Sequence, residues 1–285
     1  MSDSNMAGII PISGKSGVDY NFPWHDCLMP LSKDYYAIQN AVYECAIVGC
    51  KTIWIVSSLE FQPLVKEIVQ EWIMDPLTID KDKAKESYEH VRVPIYYVPI
   101  HGKDKDRRDC LSWTVLYGCT MASEVSTKMS SWMNYEKFYI SFPHGVFDVE
   151  RELRGYRRQL KNEISSFNGE FCLTSDGKDV RDGLHTSFTI SSRVLSDTLK
   201  RFKDLEWQAA REGIKNPAVD FSLDIVFKNM YDDCELKKHA IPAYHQTNTW
   251  AGYRDYLSNR EIKKPKVIKR FEGRKRQWKK MFHEN

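Results

Sequence analysis

No stretch of this 285-residue chain approaches the roughly 20 consecutive apolar residues of a membrane-spanning helix. The opening Met1-Ser2-Asp3-Ser4-Asn5 lacks a basic region leading into an apolar core, so no secretory signal is expected and a cytoplasmic location is. No Cys-x-x-Cys pair occurs among Cys27, Cys45, Cys50, Cys110, Cys119, Cys172 and Cys234. Their odd number and scattered spacing leave a structural zinc site unsupported and point to reduced thiols. Internal repeats and low-complexity stretches are also missing. So is the Gly-x-Gly-x-x-Gly of dinucleotide-binding folds.

What is there is ordinary for a globular protein: 42% hydrophobic and 28% charged residues, with a length that allows one large domain or two small ones. The net charge of +3 conceals an asymmetry. Residues 261–285 hold ten Lys or Arg against three Glu, leaving 32 basic and 36 acidic side chains elsewhere. A weakly acidic body with a basic tail suggests an anionic partner for the tail.

Along the chain, Ala7 to Ile12 reads as a buried strand closed by Ser13-Gly14, and Lys33 to Val48 as a helix capped by Gly49. Thr52 to Val56 is the next strand, Pro63 to Trp72 a helix, and the charged residues 76–93 a surface insertion. Ile95 to Val98, a helix from Cys110 to Ala122, and the strand Lys137 to Phe142 complete a β-α-β-α-β-α-β order. That order predicts an α/β fold with a mainly parallel sheet covered on both faces. Beyond it the pattern gives a charged helix from Glu150 to Ile164 and strands at Phe171–Thr174 and Thr186–Ile190. Three helices follow, at Ser192–Phe202, Phe221–Met230 and Ala251–Leu257. Ligands on such sheets sit at the carboxyl ends of the strands, where Gly14 and His144 both fall.

Gly14-Lys15-Ser16 has the ending of a P-loop, but the glycine required at position 9 is isoleucine and Gly8 is one residue too early. The segment Ile9 to Gly17, the Leu28-Met29-Pro30-Leu31 stretch, Phe147-Asp148, Gly183 to Ile190, and Thr249-Trp250-Ala251-Gly252-Tyr253 fit another pattern. In this order they resemble the sugar-phosphate nucleotidyltransferases over most of residues 7–257. The resemblance implies a nucleotide-diphospho-sugar transferase fold of the GT-A-like kind over residues 1–258, followed by a basic tail from 259 to 285. It also implies that Ser13, Gly14, Lys15, Ser16 and Gly17 bind a nucleotide triphosphate through backbone amides.

The same resemblance implies an arginine in the glycine loop, a lysine ahead of Leu28, and two aspartates holding Mg²⁺, for which hard oxygen ligands are suited. Those positions fall on Val18, Asp26, His144 and Gln246. Asp19, Asp26 and Asp148 could form a relocated carboxylate cluster, with Asp148 as a metal candidate and Lys15 as a substitute point charge. The simpler reading of these groups is solvated loop residues, and of His144 a hydrogen-bonded residue at a strand end. Tyr20, Phe22 and Trp24 are placed to stack on a base or to pack the loop.

The expectation is a nucleotidyltransferase-like protein that binds an NTP or nucleotide sugar, its usual chemistry lost or strongly altered. The alternatives are an active transferase with relocated carboxylates using Mg²⁺, and a non-catalytic assembly protein of the kind large phages carry. In the tail, Phe271, Trp278 and Phe282 lie near one helical face among ten basic residues. That pattern favours docking of residues 261–285 on the protein's own domain or a partner subunit over contact with nucleic acid or an anionic membrane.

Overall fold

A computed structural model describes residues 5–12, 25–76, 92–129, 134–153, 169–259 and 262–265. The elements of the first half are β1 (Met6–Pro11), a 3₁₀ turn (Asp26–Leu28), β2 (Pro30–Ser32), β3 (Tyr35–Tyr36), α1 (Ala37–Val48), β4 (Thr52–Ser57), α2 (Gln62–Val69), β5 (Trp72–Met74) and β6 (Arg92–Pro99). Then come α3 (Gly102–Lys105), α4 (Leu111–Met129), β7 (Lys137–Ile140), β8 (Gly145–Val146), α5 (Val149–Leu153) and β9 (Gly169–Thr174). Last are β10 (Phe188–Ser191), α6 (Ser192–Arg211), α7 (Leu223–Phe227), β11 (Glu235–Ala240), β12 (His245–Gln246) and α8 (Trp250–Ser258).

Eight strands form one sheet in the order β11-β9-β10-β7-β1-β4-β6-β5. The centre is parallel: β1 pairs with β4 and β7, and β4 with β6. β10 runs antiparallel to β7 and β9, and β5 antiparallel to β6, while β11 returns to parallel beside β9. The mainly parallel α/β sheet expected from the element order is therefore present, with antiparallel strands at β10 and at the β5 edge.

Both faces of the sheet are covered. Met6 and Ile10 of β1 join the core under α1, while Ala7 and Ile9 join the core under α4. Two glycines let these helices approach. A Cβ on Gly8 would meet Cys45 Sγ of α1 at 2.8 Å, and one on Gly118 would meet Val56 Cγ2 at 2.6 Å. Every residue of α1 is buried, and Gly49 closes the helix in the left-handed conformation at φ 95°.

Several boundaries differ from the periodicity for local reasons. Tyr35 and Tyr36, read as the start of the first helix, instead close a small hairpin with β2, and α1 begins at Ala37. Gln70 takes φ 75° and stops α2, so Trp72 begins a strand. Arg92 and Val93, assigned to the surface insertion, open β6, and residues 77–91 lie outside the described set. The helix read over Phe221–Met230 spans Leu223–Phe227, and α6 extends well past Phe202 to Arg211. β11 has no apolar alternation. It is a lysine-bearing edge strand, a composition that discourages further pairing.

Candidate functional site

The carboxyl ends of β1 and β7 open into a cleft of about 420 Å³. Its more buried lining comes from Pro11, Ile12, His25, Asp26, His144 and His185, and its more exposed lining includes Asp109, Asp220, Asp224 and Asn248. The chain reaches these positions through close approaches. After β7 the segment turns at Phe142, whose carbonyl accepts from Gly145 N at 3.1 Å, and presents His144 at the strand end. A Cβ on Gly145 would sit 2.1 Å from the His185 carbonyl oxygen. Only glycine lets the His185 segment lie against this turn, and the two imidazoles come to 5.8 Å between ring centres. β12 then pairs with β8, and Thr247 N–H donates to His144 O at 2.8 Å.

Asp26 stands between two imidazoles. Its Oδ1 is 2.9 Å from His25 Nδ1 and 3.4 Å from His144 Nε2. His25 caps the 3₁₀ turn, its Nδ1 accepting from Cys27 N–H at 3.1 Å. Burial pushes the Asp26 carboxyl up, but the charge and hydrogen bonding of His144 and then His25 outweigh it, holding Asp26 well below the usual carboxylate range. His185 moves the other way. Burial, reinforced by neighbouring His144, lowers it to about 3 against an opposing pull from Asp26, so its ring is neutral near pH 7. Among the described residues, His25 Nε2, His144 Nδ1 and His185 Nδ1 are buried without a hydrogen-bond partner.

Behind the cleft lies a carboxyl group that sequence reasoning missed. Glu44 of α1 is fully buried and accepts from Tyr139 Oη at 2.7 Å and Ser141 Oγ at 2.6 Å, with Ser187 also hydrogen-bonded to it. Burial raises it to about 7 against the lowering effect of these hydroxyls. Ser141 lies three residues before His144 and Ser187 two after His185, so Glu44 ties together the two segments that carry the imidazoles.

The remaining positions singled out in the sequence divide clearly. Ser13, Gly14, Lys15, Ser16, Gly17, Val18, Asp19, Tyr20, Phe22 and Trp24 lie outside the described residues. Gln246 is in β12, where its Oε1 accepts from His185 N–H at 3.3 Å. Asp148 caps α5, its Oδ1 accepting from Arg151 N–H at 3.1 Å, and it does not line the cleft. Asp26 and His144 meet there. His25 and His185 join them without having been selected beforehand, although His25 adjoins Asp26 and His185 lies in a segment already singled out. Glu44 had a signal as well, as the sole charged side chain in an otherwise uncharged twelve-residue helix.

Mg²⁺ requires several hard oxygen ligands. The described residues do not supply them: no group of three or more His, Cys, Asp or Glu among them is placed to hold a metal ion. Asp26 faces two imidazoles and Asp148 caps a helix away from the cleft, so the two do not come together as a relocated carboxylate pair for Mg²⁺.

No protein-family model matches the chain, and no curated protein does. Solved structures do. One is described as a glucose-1-phosphate thymidylyltransferase from Bacillus anthracis in complex with sucrose. It is 12% identical with a TM-score of 0.59, over 93% of this chain and 99% of that one. Another is a UDP-glucose pyrophosphorylase from Acinetobacter baumannii, 12% identical with a TM-score of 0.54, over 96% and 99% of the two chains. The chain has the fold of the nucleotide-sugar nucleotidyltransferases, at a sequence distance that carries the architecture alone.

Proposed function

We propose that the chain binds a nucleotide or nucleotide sugar in the strand-end cleft and does not carry out the Mg²⁺-supported transfer that the fold usually serves. The observation behind this reading is the His25–Asp26–His144 group. It fills two positions at which the family pattern has a lysine and a metal-binding carboxylate, and its charges are largely compensated internally. Catalysis of phosphoryl transfer rests on neutralising charge as it develops at the phosphates. A carboxylate already engaged by two imidazoles is poorly suited to recruit a cation for that purpose.

Residues 1–258 are the binding domain in this reading. The basic segment that follows docks on its own body or a partner subunit. Ile262 packs against the core beneath α1 and Lys264 donates to Asp34 O, so the chain leaves α8 along the domain surface.

The test is a screen of the common NTPs and nucleotide sugars. The expected result is a rise in melting temperature with at least one of them, by linkage of binding to folding. No pyrophosphate should be released when sugar phosphates and Mg²⁺ are added. Release that disappears in Asp26→Asn would establish an active transferase instead. A flat thermal response to every nucleotide would leave a scaffold.

A further inference from the structure

The cleft holds a symmetrical arrangement that its fold does not require. One carboxylate oxygen, Asp26 Oδ1, is approached by the Nδ1 of His25 and the Nε2 of His144. Among the described residues, the opposite nitrogens, His25 Nε2 and His144 Nδ1, are buried without partners, in side chains 6% and 11% exposed. Leaving buried polar atoms unpaired costs free energy, so such a pair points to a ligand that supplies the missing bonds.

Donor and acceptor roles identify its chemistry. A neutral His25 uses bare Nδ1 to accept from Cys27 N–H, which makes its 2.9 Å contact with Asp26 an approach of two acceptors. A proton on Nδ1 turns that contact into a hydrogen bond in place of the one from Cys27 N–H, and a second proton on Nε2 makes that nitrogen a donor too. His144 faces Asp26 through Nε2 with no competing N–H among the described residues, and a second proton makes its Nδ1 a donor as well. Fully protonated, the group carries one net positive charge and offers two N–H donors away from Asp26. α4, nineteen residues long, begins at the same cleft with Leu111, adding the positive end of its dipole.

We propose that the His25–Asp26–His144 group is the anion-binding part of the cleft, taking the diphosphate of a nucleotide sugar on protonated imidazoles without a divalent cation. This rests on the nucleotide-binding reading above and specifies how that ligand's charge is met. Among the described residues, the other titratable groups lining this cleft are His185 ahead of β10, Asp109 and Cys110 at the start of α4, and Asp220 and Asp224 near α7. His185 stays neutral down to about pH 3 and Cys110 up to about pH 12, so neither supplies the proton. The aspartates suit the hydroxyl-bearing end of the ligand, since ionised carboxylates are acceptors only.

Nucleoside diphosphate glucoses carrying each of the common bases are the probes, because a diphosphate diester keeps constant charge across the range titrated. Calorimetry in EDTA at about pH 5.5 and about pH 7.5 should show affinity about tenfold higher at the lower pH, with net proton uptake on binding. His25→Asn and His144→Asn should flatten that slope. If either variant fails to fold, proton uptake by the unmodified protein, measured in buffers of different ionisation enthalpy, decides alone. Binding that requires Mg²⁺, or that is indifferent to pH and takes up no proton, overturns the proposal and leaves the nucleotide-binding reading standing. Absence of binding at either pH, with or without Mg²⁺, overturns both.

Discussion

Glu44 shows how much a single side chain can carry in this molecule. Its folded form keeps a proton up to about pH 7, whereas the ordinary value is 4.5. Between those values the folded state binds more protons than the unfolded state. Raising the pH across that window therefore destabilises the protein, and below about 4.5 the contribution is fully present. Relative to Glu44→Gln, the unmodified protein should lose about 3 kcal/mol of stability from pH 4.5 to 7, measured by urea unfolding. His185 produces the opposite slope, because its folded value of about 3 lies below the ordinary 6.5. It is present in both proteins and cancels in the comparison.

Gly145 is the other residue on which the site turns. Gly145→Ala places a methyl group against the backbone carbonyl of His185, which cannot rotate away as a side-chain tip could. The expected cost is about 3 kcal/mol, with weakened ligand binding through displacement of His185 from His144. Chemical denaturation and calorimetry on the same variant would show both effects. Glu44 and His185 were legible as residue types in the sequence, but their roles were not. A lone glutamate in a helix is a solvated group or a buried one depending on what covers it, and only folding supplies the cover.

At the scale of elements, the closing segment has a clear mechanical role. Thr249 caps α8 by accepting from Gly252 N–H at 3.2 Å, and Gly252 allows a backbone approach that a Cβ would block at 1.9 Å from Gln246 O. From this anchored helix, Tyr253 donates to Pro30 O at 2.8 Å and Tyr256 to Leu31 O at 2.6 Å. α8 thus holds the hairpin that follows the 3₁₀ turn of Asp26. Tyr253→Phe and Tyr256→Phe should each lower stability by about 1–2 kcal/mol, since each leaves a carbonyl unpaired. Their combined loss should fall short of or exceed the sum, because both act on one hairpin, and a double-mutant cycle reads that coupling. The Thr249–Tyr253 motif was plain in the sequence because a helix cap is local chemistry. Its partners, more than two hundred residues away, were not.

At the scale of the whole molecule, the sheet order sets a gradient of stability. β1 lies between β4 and β7 with helices on both faces, whereas β11 and β5 are edges. Amide exchange should be slowest at Ile9, Ile10, Ile53 and Ile55 and fastest along Glu235–Ala240, and equal protection across the sheet would contradict the topology. Much of the parallel centre was legible beforehand, because buried strands of Ile, Val and Trp alternating with helices leave few arrangements open. The antiparallel return through β10 and β9 to β11 was not, since β11 reads as polar and short strands depend on which neighbour they meet. The sequence by itself determined the α/β architecture and the glycines that let helices and turns approach. Only the tertiary structure decided that His25, Asp26, His144 and His185 share one cleft and that Glu44 ties the two histidine segments together. Hydrophobic periodicity and caps act over a few residues, whereas the pairing of charges across a crevice is settled by which distant segments the sheet brings to the same end of its strands.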